Sequence, residues 1–432
     1  MRLTFFKNTF FLWLLVSFSC GSQNTEEKPN ASGDPVQNGK EDIIIHDTVK
    51  VSDFSANTVI VGADNPEAYL TLLSGKKIGI VANQTSNLYT HSSLKNLPDP
   101  DKGLHLVDFL TYHKIDIQKV FAPEHGFRGT ADAGELVKDG VDQRTGIPII
   151  SLYGANKKPS QKQLEGIELM VFDIQDVGAR FYTYISTLHY VMEACAEANI
   201  PLIVLDRPNP NGHYIDGPIL EKEHASFVGM HPVPVVHGMT IGEYAQMING
   251  EGWLSNNLQC RITVIPMRNY THETAYSLPV KPSPNLPNDT AINLYPSLCF
   301  FEGTPLSAGR GTSMQFQVFG APELPSTYFP FQFTPQPNEG AKHPKFEGQV
   351  CNGVDLRKHP RVDKLNLEWL IEAYAAYGNK KEFFTDFFTK LAGTKKLQRQ
   401  IEQGYTYSEI RATWLDPLAA YDKMRQKYMR YP

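Results

Sequence analysis

Leu169-Met170-Val171-Phe172-Asp173-Ile174-Gln175-Asp176-Val177-Gly178-Ala179-Arg180 is the stretch on which the fold turns. Four apolar residues in a row suit a strand buried on both faces, and the run stops at an acid. Behind it Ile185, Leu188, Val191, Met192 and Cys195 fall on one stripe at helical spacing. Residues 201–205 are again apolar and end in Asp206-Arg207-Pro208-Asn209-Pro210-Asn211-Gly212. Strand, amphipathic helix and strand in that order make a βα repeat, whose strands lie parallel in one sheet.

The same alternation extends upstream. Residues 77–82, 117–121 and 147–152 read as strands, and 104–112 and 161–166 as helices. The first strand ends in Asn83-Gln84-Thr85, the second in Glu124-His125-Gly126-Phe127-Arg128-Gly129, and the third in Tyr153-Gly154. In a right-handed parallel sheet the carboxyl ends of all strands share one edge. Asn83, Glu124, Asp173, Asp176, Asp206 and Arg207 are therefore expected to converge. Singly, each is as readily a turn cap or a local ion pair.

Downstream the pattern loosens. Thr240-Ile241-Gly242-Glu243 is a capping box that opens a helix, and 261–265 is a strand. A proline-rich segment, Lys281-Pro282-Ser283-Pro284-Asn285, precedes Glu302-Gly303-Thr304, a Gly309-Arg310-Gly311-Thr312 turn and a strand over 315–319. The tail is helical, and Phe383, Phe384, Phe387 and Phe388 recur at helical spacing as core residues. The expected class is α/β, a Rossmann-like, mostly parallel sheet domain over 66–275 with a smaller, helix-rich α/β domain over 276–432. The site is expected in the cleft between them.

A chain of 432 residues, 41% of them hydrophobic, is long enough for two such cores. Its formal charge of −5 leaves no basic surplus for a phosphate backbone, so nucleic acid is not expected as a partner. Arg2 and Lys7 ahead of an apolar run that ends at Cys20 read as a lipoprotein-type signal peptide over 1–20, the alternative being an ordinary secretory peptide cut nearby. Residues 21–65, poor in apolar side chains, read as a tether. The expected location is periplasmic or on the outer membrane of a Gram-negative bacterium, with membrane attachment only through a lipid on Cys20. Cys195, Cys260, Cys299 and Cys351 lack metal-ligand spacing and are expected as isolated buried thiols. No phosphate loop or dinucleotide fingerprint occurs, so neither metal nor cofactor is expected.

Carboxylates, amides, arginines and tyrosines without a nucleophile elbow fit carbohydrate chemistry best. Glycoside cleavage needs a proton donor at the leaving oxygen and a second carboxylate near the anomeric carbon. Glu124 is the candidate acid, since Phe121, Pro123 and Phe127 are expected to strip water from it and favour its protonated form. Asp173 and Asp176 are expected to stay ionised beside Gln175 and Arg180.

Ala122-Pro123-Glu124-His125-Gly126-Phe127-Arg128-Gly129, then Phe172 through Tyr184, Asp206-Arg207-Pro208-Asn209-Pro210, Pro282-Ser283-Pro284-Asn285 and Glu302-Gly303-Thr304 with Gly309-Arg310-Gly311-Thr312 resemble the exo-β-N-acetylmuramidase family. The resemblance runs from about residue 66 to the C-terminus. It implies release of N-acetylmuramic acid from the non-reducing end of peptidoglycan fragments, with Glu124 at the position usually suspected of catalysis. Asp173, Asp176 and Glu302 all match motif positions for the second carboxylate. The candidate sugar contacts are Asn83, His125, Arg128, Gln175, Arg180, Tyr182, Tyr184, Asp206, Arg207, Asn209, Asn285 and Arg310. Arg310 or Arg207 is expected to hold the lactyl carboxylate that distinguishes N-acetylmuramic acid, because a guanidinium grips a carboxylate in a two-pronged fork. The rival readings are a non-catalytic glycan-binding lipoprotein and an endo-acting muramidase.

Overall fold

The computed structural model describes residues 58–90, 103–128 and 139–432. Residues 1–20, expected to be a signal peptide and including Cys20, most of the expected tether and Gly129 lie outside the described residues. Packing starts ahead of residue 66. Ile60 pairs antiparallel with Arg268, and the Gly62 amide donates to the Asp206 carbonyl at 2.8 Å. Only glycine fits there, since a Cβ on Gly62 would lie 2.5 Å from the Asp206 nitrogen and 2.6 Å from the Ile265 oxygen.

The strands are β1 (Lys77–Ala82), β2 (Asn87–Leu88), β3 (Leu104–His105), β4 (Asp116–Ala122), β5 (Gly140–Val141), β6 (Pro148–Ser151), β7 (Leu169–Asp173), β8 (Leu202–Leu205), β9 (Ile262–Ile265), β10 (Val318–Ala321), β11 (Phe331–Phe333) and β12 (Cys351–Asp355). Seven of them form one sheet in the order β5-β6-β4-β1-β7-β8-β9. Every pairing in it is parallel except β5 with β6. The period of two along each strand sends alternate side chains to opposite faces. Ile78, Ile80, Leu169, Val171, Ile203 and Leu205 join one core with the helix Leu106–Tyr112. Val81, Met170, Phe172, Leu202 and Val204 join the other with the helix Tyr184–Glu197. Burial on both faces is why these strands read as unbroken apolar runs.

The second core continues into the C-terminal part, through Phe300, Phe319, Leu370, Leu391 and Leu418, without a break at residues 270–281. All the described residues fall in one compact unit. A small antiparallel sheet, β10-β12-β11, and a set of short helices make up this part, which is smaller and helix-rich as expected. The strand expected over 315–319 begins only at Val318, because Phe316 adopts a left-handed φ of 51° that breaks the extended run. Cys195, Cys260, Cys299 and Cys351 are buried and unpaired. No helix among the described residues is long and apolar enough to cross a membrane.

Chain order reverses between β1 and β7, the switch point where a doubly wound sheet opens a crevice. Here a buried ion pair fills it. Arg207 donates through Nε to Asp173 Oδ1 at 2.6 Å, and through Nη2 to Asp173 Oδ2 at 2.9 Å and to the Asn87 carbonyl at 3.0 Å. Both side chains are inaccessible to solvent. Burial alone would lower the Arg207 pKa, but the Asp173 carboxylate outweighs it and the net shift is upward. Removing one partner leaves an uncompensated interior charge. Asp173→Asn is therefore expected to lower the unfolding free energy by about 3–5 kcal/mol in urea titrations, and Asp173→Leu with Arg207→Met together to recover most of it.

Beside this pair, Asp206 accepts from Tyr431 Oη at 2.6 Å, Thr240 Oγ1 at 2.9 Å and the Gly242 amide at 2.8 Å, tying β8 to the C-terminus. Burial nevertheless raises its pKa to about 6 from the ordinary 3.8, the Glu243 charge adding to the rise. The folded state thus holds this proton more tightly than the unfolded chain. Its stabilising contribution is complete below pH 4 and is lost as pH rises through 6. Between pH 5 and 7 the protein is expected to lose about 1–1.5 kcal/mol that Asp206→Asn does not lose, measured as the difference between their urea-unfolding free energies.

Candidate active site

At the end of β4 the chain turns sharply. His125 at φ 70° and Gly126 at φ 78° are consecutive left-handed residues, and the turn presents the preceding Glu124 side chain beside the start of the helix Tyr184–Glu197. Thr183 is the N-cap of that helix but makes no cap bond with its side chain. Its hydroxyl donates to Glu124 Oε2 at 2.7 Å instead. Glu124 and His125 line a cavity of about 350 Å³.

Opposite them the chain after residue 280 completes the walls with Ser283, Asn285, Tyr295, Glu302 and Arg310. The Gly309-Arg310-Gly311 turn, with both glycines left-handed at φ 77° and 78°, carries Arg310 in. Arg310 Nε bonds Glu302 Oε1, and its guanidinium lies over the Phe316 ring, 5.5 Å from the centroid. Burial lowers the Arg310 pKa, Glu302 raises it, and the net is upward. Asn285 donates to the Gly340 carbonyl at 2.6 Å, which leaves its Oδ1 buried without a partner in the protein. Tyr182 donates to the Pro282 carbonyl at 2.7 Å, binding the two parts of the wall. Tyr184 accepts from Asn83 Nδ2 at 2.9 Å, and burial, followed by the Glu124 charge, pushes its pKa up.

Of the sequence-derived candidates, Glu124, His125, Tyr182, Tyr184, Asn285, Glu302 and Arg310 line this cavity. The others do not. Asp173 and Arg207 neutralise each other at the switch point. Asp176 accepts from the Gly178 amide at 2.7 Å and lies 3.4 Å from His237. Gln175 donates to the carbonyls of Asp176 and Pro208 at 2.7 and 2.6 Å. Asn209 donates to the Met239 carbonyl at 2.9 Å, and Asn83 braces Thr85 and Tyr184 behind the wall. Asp206 anchors the C-terminus, and Arg180 donates only to backbone carbonyls. Arg128 pairs with Asp142 at 2.9 Å and stacks on Phe127. Phe121 and Phe127, expected to strip water from Glu124, each have packing partners of their own. Phe121 is in the sheet core and Phe127 packs edge-on against His105, 5.0 Å between centroids.

Reading by strand ends overlooked Thr183 and Tyr295, and Phe387, expected in the core, is 37% exposed and lines the cavity. The signal for Thr183 was its place immediately before an amphipathic stripe. One surface group, Glu221, Glu223 and His224, has atoms close enough to hold a cation, but it lies outside the cavity and Lys396 already pairs with Glu221 at 2.7 Å.

Two carboxylates, an arginine and tyrosines around a cavity of about 350 Å³ fit a glycoside hydrolase. The chain belongs to the exo-β-N-acetylmuramidase NamZ family, matching the family's N-terminal profile over residues 78–290 and its C-terminal profile over 293–431. It is 38% identical over 390 residues to the peptidoglycan β-N-acetylmuramidase NamZ of Bacillus subtilis, covering 84% of this chain and 89% of that protein. Two DUF1343 family proteins from Bacteroides fragilis share the fold. One has 42% identity and a TM-score of 0.77 over 87% of this chain and 99% of its own. The other has 26% identity and a TM-score of 0.73 over 88% and 100%.

The Glu302–Arg310 pair is half-open to solvent compared with Asp173–Arg207, with side-chain exposures of 22% and 27%. Pairs of that kind contribute little to stability. Arg310→Met is expected to change the unfolding free energy by less than about 1 kcal/mol in urea, a small fraction of the loss from Asp173→Asn.

Proposed function

We propose that this chain is an exo-acting hydrolase that releases N-acetylmuramic acid from the non-reducing end of peptidoglycan fragments. The observation that carries the proposal is that, of the four carboxylates singled out in the sequence, Glu124 and Glu302 line one cavity while Asp173 and Asp176 are held in the interior. Glu124 is the proton donor. It passes its proton to the glycosidic oxygen as the bond to the anomeric carbon breaks, and water supplies the hydroxyl of the released sugar while its other proton restores the Glu124 acid. Thr183 fixes its carboxyl group, a bond of 2.7 Å that restricts rotation about the side chain. Glu302 is the companion carboxylate, and Arg310, the one arginine among the cavity-lining residues, is the group for the lactyl carboxylate. A volume of about 350 Å³ suits a single amino sugar and so favours removal of terminal residues over cutting within a strand.

Glu124→Gln retains the shape of the side chain but has no acidic proton. Hydrolysis of a β-muramide with a poor leaving group is expected to fall by about 10²–10⁴-fold with the fold and sugar binding intact. On peptidoglycan glycan chains, wild-type protein is expected to release only monosaccharide, followed by reducing-end analysis. Oligosaccharide products would point to endo cleavage, and binding without turnover would sink the enzymatic reading.

A further inference from the structure

Arg180 lies behind the cavity wall, next in sequence to Phe181 and bonded to Leu391, both of which line it. Its guanidinium is fully buried, yet among the described residues it forms no ion pair. It donates instead to four carbonyls, through Nη1 to Pro218 at 2.7 Å and Val233 at 2.8 Å, and through Nη2 to Leu391 and Ala392, both at 2.8 Å. Burial pushes its pKa down to about 9, a sign of how unfavourable a lone interior cation is. Such a group persists where its fork geometry fixes something a neutral side chain would not.

What it fixes is the helix Asp386–Ala392. The last carbonyls of a helix have no partners within it, and Arg180 caps two of them. Gly393 leaves the room, being left-handed at φ 71°, since a Cβ there would come 2.8 Å from Arg180 Nη2 and 3.0 Å from the Leu220 Cα. Phe387 and Leu391 of this helix line the cavity, as does Phe181, the residue after Arg180. The other end of the helix packs on Gly303, next to Glu302, where a Cβ would lie 2.5 Å from the Phe388 Cα.

We propose that Arg180 is a positioning residue for substrate binding, clamping the helix Asp386–Ala392 so that Phe387 and Leu391 form a fixed apolar wall for the sugar opposite Glu124. The inference rests on the reading of this cavity as the muramoyl site. A wall that touches the sugar equally in ground and transition states acts on KM rather than on kcat.

The test uses the full-length protein. Arg180→Lys keeps the charge and loses the fork, and Phe387→Ala removes the wall at a part-exposed position without touching the clamp. Each is expected to raise KM for a chromogenic β-muramide by roughly tenfold and to change kcat by less than about threefold. In hydrogen–deuterium exchange, Arg180→Lys is expected to speed exchange over 386–393 while the strands of the large sheet keep their protection. A lowered Tm with KM unchanged in Arg180→Lys would make Arg180 purely structural and overturn the proposal, as would an unchanged KM in Phe387→Ala. Wild-type protein inactive on the muramide overturns the glycosidase reading instead. Exchange over 386–393 then still judges the clamp, which falls if Arg180→Lys leaves it unaltered.

Discussion

A bidentate ion pair closes the crevice that the sheet topology creates. In doubly wound sheets the gap beyond β1 and its neighbour across the switch point is the ordinary place for a ligand. Here Asp173 from β7 and Arg207 from the end of β8 meet in it, both Asp173 carboxylate oxygens accepting from the guanidinium. Arg207 also takes the Asn87 carbonyl of the short β2 strand, so three segments depend on one guanidinium. Ser86, whose hydroxyl donates to the Asp173 carbonyl, seals the same spot from the β1 side. With the crevice filled, the cavity is displaced sideways along the sheet edge, toward the end of β4.

That displacement explains why the C-terminal part is needed. The loop after β4 brings Glu124 to the edge, and the helix start at Thr183 supports it, but these form only one side of the cavity. The opposite side comes from the segments around Asn285, Glu302, Arg310 and Phe387. Those segments are short, with few regular hydrogen bonds of their own, and they are held by side-chain bonds to backbone. Lys345 gives its ammonium to the carbonyls of Phe301, Thr304 and Leu306, Tyr182 reaches Pro282, and Arg180 holds Leu391 and Ala392. Such bonds specify geometry in irregular chain as ladders do in a sheet.

The sheet was legible in the sequence because burial on both faces forces uninterrupted apolar runs. Residues 77–82 and 169–172 are strands in both the sequence reading and the structure, which extends the second by Asp173. The polar strand ends were legible as a group, yet their individual fates were not. Nothing local to Asp173 announces that its partner lies 34 positions further on, and Asp173 and Glu124 look alike as acids closing apolar strands. What separates them is long-range: Asp173 meets the Arg207 guanidinium brought in by another strand, and Glu124 meets the Thr183 hydroxyl at the start of a helix. Phe316 shows the converse. It reads as a strand residue, and its left-handed backbone follows from packing against Tyr295 and Arg310 rather than from any local preference.

The two arginine–carboxylate pairs divide the electrostatics of the molecule. Asp173–Arg207 lies in a low-dielectric interior, where each charge demands the other and neither is available to a ligand. Glu302–Arg310 lies at a wall that solvent reaches, where a partner is exchanged at little free-energy cost. Under the proposed function a sugar carboxylate in the cavity would share the Arg310 guanidinium, whose five donors exceed what one Glu302 oxygen takes up, without first breaking a structural bond. On that reading Glu302 would lose part of its neutralising partner as the acid binds and become a more concentrated negative charge near the sugar. The proposed function thus couples recognition of an acidic sugar to stabilisation of positive charge at its anomeric carbon through one ion pair, and that coupling needs a pair that the fold can do without.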